Sequence, residues 1–248
     1  MLRRLANLAW ATACLWSAVA TAGDFVINPL RVTLDRTSRA SEVSVRNDDS
    51  TPLRMQVEAL TWRQDASGAD QYEPAEGLLY FPRVLEIPPG ESRIVRVGVR
   101  AAPVSREEAY RLFFEELPPP GGNPNAGTSL QVLLRVGVAV FVTPAQPAVK
   151  GAITSLAVNG GEAQWTVVNE GNVHFRVEQG ELSGSAADGT RLFVRPVADR
   201  YFLAGVTKKV VSPIPADVCG RVATVEASIV AEKLDLKRKL DVDPRACK

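Results

Sequence analysis

The most informative segment of the chain is L-Q-V-L-L-R-V-G-V-A-V-F-V, which runs from Leu130 to Val142. It is too short to span a membrane as a helix, and its β-branched valines together with Gly137 favour a strand over a buried helix. Both faces of such a strand are largely apolar, so both require apolar cover. At a sheet edge a strand of this kind pairs readily with other chains. The sequence therefore predicts a strand that is either hidden by the fold or used to bind a partner.

Short segments with alternating apolar and polar residues lie on both sides of this stretch. Turn residues such as Asn47-Asp48 and Pro88-Pro89-Gly90 separate them at the intervals that are typical of all-β sandwiches. Thr143 to Pro147 has the composition of an interdomain hinge, and the same strand pattern resumes beyond it. No helix of ordinary length is evident. We therefore expect an all-β chain with two sandwich domains, at residues 23–143 and 144–248.

The first 22 residues have the pattern of an export signal. Arg3 and Arg4 form a charged start, an apolar run follows, and Ala20-Thr21-Ala22 gives the small-x-small motif of a cleavage site. A membrane anchor is the alternative, which the short apolar run disfavours. Cleavage would remove two of the 29 basic residues and none of the 28 acidic ones, so the formal charge would change from +1 to −1.

Composition argues against several classes of function. A nucleic-acid-binding surface needs clustered positive charge, and nothing in the near-neutral mature chain suggests one. His174 is the single histidine, so a Ser-His-Asp or Cys-His arrangement would depend on it, and its setting is that of a residue at the edge of a strand. The pair Gly121-Gly122 lacks a phosphate-binding pattern. We expect no enzyme, no cofactor and no small-molecule substrate.

Cys219 and Cys247 are the two cysteines that remain after the signal, which carries Cys14. In an oxidising compartment they can form a disulfide, and the chain-entropy estimate for closing that loop is about 3–4 kcal/mol. Two free buried thiols are the alternative, because a sequence does not give the distance between them. A metal site is disfavoured, since two cysteines and one distant histidine make a poor ligand set.

Several segments together resemble the periplasmic pilus-assembly chaperones of the PapD-like family. They occur in the family's order and cover the first domain: Asn28 to Val32, Asn47-Asp48, Thr61-Trp62, Ile87 to Glu91, Arg96-Val97, Tyr110 to Pro118 and Leu130 to Pro144. The second half is similar in length and character but has weaker motifs. Glu108 to Leu112 is similar to the E-x-Y-R-L pattern of the family's divergent archaic branch. The resemblance implies two immunoglobulin-like sandwiches set in an L, with a cleft between them.

The resemblance also implies a use for the long strand. Family members lend such a strand to a pilus subunit, an incomplete sandwich that lacks one strand, and deliver the subunit to an outer-membrane usher. One face of the strand carries no charge and is the better donor, because an unpaired Arg135 would be costly in an apolar groove. This donor face consists of Leu130, Val132, Leu134, Val136 and Val138. The alternative is that all five side chains fill the core of their own domain.

A basic pair that binds the C-terminal carboxylate of the subunit is the second element that the resemblance implies. Arg31 takes the position of the family's first-strand arginine, and a guanidinium can bind both oxygens of a carboxylate. A solvent-facing strand arginine is the alternative. The family's lysine, late in the long strand, is replaced here by Ala139. We expect Arg111 to take over its role, because it interrupts an apolar sequence. Arg135 is the second choice, since it can instead pair with a nearby glutamate.

Two functions are compatible with the sequence. The first is a periplasmic chaperone that captures pilus or surface-fibre subunits by donor-strand complementation, and the second is a fibre subunit or an Ig-like adhesion module. A fibre subunit would be expected to carry an N-terminal donor extension and usually a disulfide in its incomplete domain. Here the strand pattern begins within about two residues of Gly23, and both remaining cysteines lie in the second half. The sequence leaves open whether free molecules associate through the exposed strand.

Overall fold

The computed structural model describes residues 24–65, 67–101, 105–118, 132–197 and 201–247. The predicted signal peptide and Leu130 of the predicted donor face lie outside these ranges. Within them, no helix is long and apolar enough to cross a membrane. The same ranges contain no group of three or more His, Cys, Asp or Glu side chains that could hold a metal ion.

Ten strands form the first half of the described chain. In order they are β1 (Phe25–Asn28), β2 (Arg31–Leu34), β3 (Ala40–Asn47), β4 (Leu53–Gln64), β5 (Asp70–Pro74), β6 (Leu78–Phe81), β7 (Val84–Ile87), β8 (Ser92–Val99), β9 (Glu108–Glu116) and β10 (Arg135–Val142). One sheet has the order β1-β3-β8-β6, and the other has the order β2-β10-β9-β4-β5 with β7 beside β4. Buried side chains from both sheets form one core, so the two sheets pack as a sandwich.

Alternation places one side of each strand in this core. In β8, Val95 and Val97 are buried while Arg96 between them is exposed, as expected when successive side chains point to opposite faces. In β10, Val138 and Val140 face the same core. Burial of a valine or leucine side chain contributes about 1.5–3 kcal/mol. The core therefore fixes which face of each strand is turned inward.

The chain changes sheets at Pro29, between β1 and β2. β1 pairs antiparallel with β3, whereas β2 pairs parallel with β10 in the other sheet. Proline has no N–H to give to a ladder, so a continuous strand is interrupted at this point. As a consequence β2 begins only at Arg31, and it reaches only part of the neighbouring edge of β10.

Eight further strands form the second half of the described chain. They are β11 (Gly151–Asn159), β12 (Glu162–Asn169), β13 (Phe175–Ser185), β14 (Arg191–Pro196), β15 (Tyr201–Phe202), β16 (Thr207–Pro213), β17 (Thr224–Ala231) and β18 (Leu234–Asp241). Their sheets have the orders β11-β12-β16 and β14-β13-β17-β18, with β15 beside β13, and they share a second core. The prediction of an all-β chain with two immunoglobulin-like sandwiches is confirmed.

A disulfide joins Cys219 to Cys247, whose Cα atoms lie 5.8 Å apart. Cys219 ends the short helix α1 (Ala216–Cys219), and Cys247 ends a 3₁₀ turn (Pro244–Cys247). The bond closes a loop with a sequence separation of 28, for which the chain-entropy estimate is about 3–4 kcal/mol. It therefore holds the end of the described chain against the second core.

A third apolar cluster lies between the two sandwiches. It contains Trp62, Ala139 and Phe141 from the first half and Leu203 from the second. The Trp62 ring meets the Tyr201 ring edge-on at 5.4 Å between centroids. Such aromatic pairs contribute about 0.5–1.5 kcal/mol beyond the burial of their area. The face of β10 that is turned away from the first core is thus used for contact between the halves.

Candidate functional site

The edge of β10 is covered along only part of its length. Residues Ala139 to Val142 pair with β2, whereas Arg135 to Val138 pair with β9 alone. The backbone N–H of Ala139 donates to the Leu30 carbonyl at 3.1 Å, on the β2 side. Alternate residues of a strand turn their backbone groups the same way, so the N–H and C=O of Arg135 and Gly137 also point to that side. Within the described ranges no strand pairs with them, and we call Arg135 to Val138 the open edge.

The predicted donor side chains pass from exposed to buried along the chain. Val132 is 58% exposed, and Leu134 and Val136 are partly buried. Val138 is fully buried in the core of the first sandwich, where its side chain is not available to a partner in this conformation. Val136 also packs against this core. The most accessible part of the donor face in the described chain is therefore Val132 and Leu134.

β10 is shorter than the predicted strand, because residues 132–134 lie outside it. The last ladder bond on the β9 side runs from the N–H of Glu116 to the carbonyl of Leu134, at 2.9 Å. Successive N–H groups of a strand point to opposite sides, and that of Leu117 donates to the Arg54 carbonyl of β4. The next N–H that would face β10 belongs to position 118, where proline has none, so β9 donates no ladder bond to residues 132 and 133.

Arg31, Ala139 and Arg111 lie in one row across β2, β10 and β9. Ala139 is in register with Arg31 on one side and with Arg111 on the other. Directly opposed residues in a sheet turn their side chains to the same face. The two residues predicted to bind a carboxylate thus flank the alanine that stands in place of the family's lysine.

Arg111 is held against aromatic rings. Its Cζ lies 3.8 Å from the centroid of the Trp62 ring and 5.8 Å from that of Tyr201. Its Nε is buried and has no hydrogen-bond partner among the described residues. Burial and the Asp70 carboxylate raise the pKa of the Tyr72 hydroxyl, and the nearby Arg111 guanidinium opposes this shift. Stacking of this kind fixes the plane of the guanidinium while its outer N–H groups stay able to bind an anion.

Arg135 already has partners in the free protein. One of its terminal nitrogens, Nη2, lies 3.0 Å from Glu58 Oε2, and its Nε lies 3.4 Å from Glu115 Oε2. Its guanidinium also lies over the Phe113 ring, at 4.1 Å. A new anion would have to compete with these two carboxylates. Arg111, with no ion pair to a described residue, is the better placed of the two candidates.

His174 joins the two sandwiches, a role that the sequence did not indicate. Its Nδ1 lies 2.7 Å from Glu107 Oε2, and its backbone N–H donates to the same oxygen at 2.8 Å. Its ring stacks on Phe141 of β10, with 3.5 Å between centroids. Close by, the N–H of Glu107 donates to the carbonyl of Asn172. No local pattern links these residues, because Glu107 and His174 are 67 positions apart.

A protein-family model and several solved structures are similar to this chain. The family described as "Pili and flagellar-assembly chaperone, PapD N-terminal domain" matches residues 24–148. The class 5 fimbriae chaperone CfaA has a similar structure, with a TM-score of 0.56 at 16% identity over 89% of this chain and 100% of that chain. No curated protein matches the chain by sequence.

Two chaperone complexes are similar in structure as well. One is the complex of CsuC with the tip subunit CsuE from the archaic Csu pili of Acinetobacter baumannii, with a TM-score of 0.58 at 17% identity over 86% of this chain and 98% of that chain. The other is the Salmonella enterica SafA pilin with the SafB chaperone, with a TM-score of 0.56 at 15% identity over 89% and 98%. At such identities the likeness shows the fold alone, whereas the family match covers half of the chain. The chain therefore belongs to the PapD-like family of pilus-assembly chaperones.

Proposed function

We propose that this protein is a periplasmic chaperone that captures pilus or surface-fibre subunits by lending them the open edge of β10. The main support for this proposal is that the backbone edge of Arg135 to Val138 is unpaired and that accessible apolar side chains, those of Val132 and Leu134, lie just before it. A subunit strand would pair with the backbone of Arg135 and Gly137. The side chains of Val132, Leu134 and Val136 would fill the apolar groove that its missing strand leaves.

The row of Arg31, Ala139 and Arg111 supports capture of the subunit's C-terminal carboxylate. The two arginines are separated by two strand spacings, roughly 10 Å at the backbone. The register places both side chains on one face of the sheet, and charge-assisted hydrogen bonds to a carboxylate are about twice as strong as neutral ones. Because Trp62 holds the Arg111 guanidinium in place, little side-chain entropy is lost on binding.

Location in the periplasm and delivery to an outer-membrane usher belong to the same proposal. The export-signal pattern of the first 22 residues supports the location, as does the disulfide, which is stable in an oxidising compartment. The structures that contain CsuE and SafA support a fibre subunit as the partner. We propose domains at residues 23–143 and 144–248, because the first core ends at Val142 and the second begins beyond it.

Co-expression with the fibre subunit encoded nearest to this chain tests the proposal. Purification through a tag on the chaperone should give a one-to-one complex, and the subunit should be degraded or insoluble without the chaperone. A subunit that is soluble and stable alone, and that does not bind this chain, would contradict the proposal.

Arg111→Ala tests the carboxylate site within that complex. We expect a loss of affinity of about tenfold, since hydrogen bonds to charged groups contribute about 1.5–3 kcal/mol. Arg111→Lys should restore part of the affinity, because it keeps the charge without the planar stacking. Thermal unfolding of each variant provides the control. An affinity that is unchanged in Arg111→Ala would remove this residue from the site.

A further inference from the structure

Tyr201 brings an aromatic ring from the second sandwich to the first. It belongs to β15, a strand of two residues that pairs with β13. Successive side chains of a strand point to opposite faces. Phe202 is fully buried in the second core, where its ring stacks on that of Phe175. Tyr201 packs instead against the apolar cluster between the two sandwiches. β15 thus places one ring in its own core and one ring against the other half of the molecule.

The Tyr201 ring contacts the residues that surround Arg111. Its centroid lies 5.4 Å from that of the Trp62 ring and 5.7 Å from that of Phe141. It also lies 5.8 Å from Cζ of Arg111. An aromatic ring attracts a guanidinium within about 6 Å of its centroid. The Trp62 centroid lies 3.8 Å from the same Cζ. The Arg111 guanidinium therefore has one aromatic neighbour from each sandwich.

The backbone of Tyr201 is fixed by the first sandwich as well. Gln64, the last residue of β4, donates from Nε2 to the Tyr201 carbonyl at 3.1 Å, and its Oε1 accepts from the N–H of Leu203 at 3.0 Å. Lys208 of β16 donates from Nζ to the same Tyr201 carbonyl at 3.3 Å. These bonds hold β15 against the end of β4, the strand that also carries Trp62. The position of the Tyr201 ring relative to Arg111 is thus set in the free protein.

The burial of Arg111 gives this ring a consequence for binding. Its Nε is buried and has no hydrogen-bond partner among the described residues. Burial of an N–H without a hydrogen bond costs free energy, and contact with the electron-rich faces of aromatic rings offsets part of that cost. Without the Tyr201 ring, water would reach the guanidinium and the side chain would gain rotamers. A guanidinium that is mobile in the free protein loses more entropy when it binds a ligand.

We propose that Tyr201 is a positioning residue for Arg111, so that the second sandwich takes part in binding the subunit although the first supplies both the open edge and the arginine. The inference rests on the proposed function, in which Arg111 binds the carboxylate of the subunit. Tyr201 acts through the Arg111 guanidinium rather than through a contact of its own with the subunit. The strength of the carboxylate contact therefore depends on how the two sandwiches are oriented.

A cycle of variants tests this coupling through the affinity for the co-purified subunit. We expect Tyr201→Ala to weaken binding about fivefold and Tyr201→Phe to stay close to wild type, because phenylalanine keeps the ring. In the Arg111→Ala background, Tyr201→Ala should change affinity by less than about twofold, since the side chain that it positions is absent. The same fivefold loss in both backgrounds would overturn the inference, as would wild-type affinity in the single variant Tyr201→Ala.

Tyr80→Ala in β6 is the matched control. Tyr80 is also a partly buried tyrosine beside an arginine, because Cζ of Arg83 lies 5.3 Å from the centroid of its ring. It belongs to the other sheet of the first sandwich, away from Arg111. We expect Tyr80→Ala to leave subunit affinity unchanged. Thermal unfolding of both alanine variants sets a temperature at which each is folded, and binding is compared there.

The NMR signal of the Arg111 Nε–H provides a test that does not depend on a subunit. In labelled protein we expect Tyr201→Ala to shift this signal and to make its exchange with water several-fold faster, whereas Tyr201→Phe should keep the wild-type signal. An Arg111 signal that is the same in wild type and Tyr201→Ala would overturn the inference. If Arg111→Ala binds the subunit as tightly as wild type, the proposed role of Arg111 fails, and the NMR result alone decides whether Tyr201 positions its guanidinium.

Discussion

Part of β10 and the whole of β18 lie at a sheet edge, and the two strands have different side chains at that edge. The open edge of β10 follows the accessible apolar residues Val132 and Leu134. Among the described strands, β18 pairs with β17 alone, and its sequence is L-D-L-K-R-K-L-D. Charged residues, lysine above all, are the usual means by which proteins prevent pairing at an edge. Both strands therefore have backbone groups at a sheet edge, but the side chains of β10 favour pairing with another strand and those of β18 disfavour it.

The charges of β18 are balanced rather than concentrated. Lys237 lies 3.0 Å from Asp235, and Lys239 lies 3.1 Å from Glu226 of β17. Exposed pairs of this kind contribute about 0.2–1 kcal/mol each, so they add little to stability. Their effect is to make desolvation of this edge costly for any strand that approaches. At the edge of β10 the charged side chain of Arg135 lies on the face opposite the predicted donor side chains, and its ion pairs are with Glu58 and Glu115. The donor face of that edge carries no charge, which is the physical basis for assigning it the binding role.

Leu134→Asp should weaken binding of the subunit to β10 more than any other change. A carboxylate in an apolar groove has no partner there, and its burial costs several kcal/mol, so we expect subunit affinity to fall by at least about 100-fold. The fold should be preserved, because Leu134 is only partly buried and its backbone bond to Glu116 does not involve the side chain. Co-purification and titration with the subunit measure the effect.

The matched control for that variant is Val194→Asp, in the edge strand β14. Val194 is also an exposed apolar residue on an edge, but it lies in the second sandwich and outside the site. It should leave subunit affinity unchanged. Co-purification of Leu134→Asp at the wild-type level would show that this side chain does not enter the subunit.

Much of the fold is encoded in local patterns. Alternating residues predict which faces of strands such as β3 and β8 are buried, because the period of 2 is a property of every strand. With only Cys219 and Cys247 beyond the signal pattern, an intramolecular disulfide had a single candidate pairing. These features need no knowledge of which strands are neighbours.

Features that depend on distant neighbours could not be predicted in the same way. The start of β10 coincides with Pro118, which has no N–H to continue the ladder, but the register that sets Glu116 opposite Leu134 depends on residues far apart in the sequence. The contact of Glu107 with His174 arises only when the two sandwiches meet. The pair of Arg31 and Arg111 was proposed from the family resemblance, and the register adds that they share a row.

Arg135→Pro removes one backbone donor from the open edge. The N–H of Arg135 points away from β9, so a proline there keeps the ladder with β9, as is usual for prolines at sheet edges. We expect affinity for the subunit to fall about fivefold to tenfold, since one backbone hydrogen bond contributes about 0.5–1.5 kcal/mol. Arg135→Ala separates the loss of the side chain from the loss of the N–H and should change affinity by no more than about twofold. Equal affinities of the two variants would mean that a partner does not pair with the backbone here.

Lys237→Val combined with Lys239→Val tests the other edge and should give the smallest effect. The two side chains lie on the same face of β18, so the change turns a charged edge into an apolar one. We expect self-association to increase a few-fold, measured by sedimentation velocity at rising protein concentration. The test is best made in the Leu134→Asp background, because pairing through β10 is then suppressed. The control is the charge-preserving Lys237→Arg with Lys239→Arg. If the valine variant stays monomeric, β18 is protected instead by its contact with β11, where the Arg238 side chain donates to the carbonyl of Ile153.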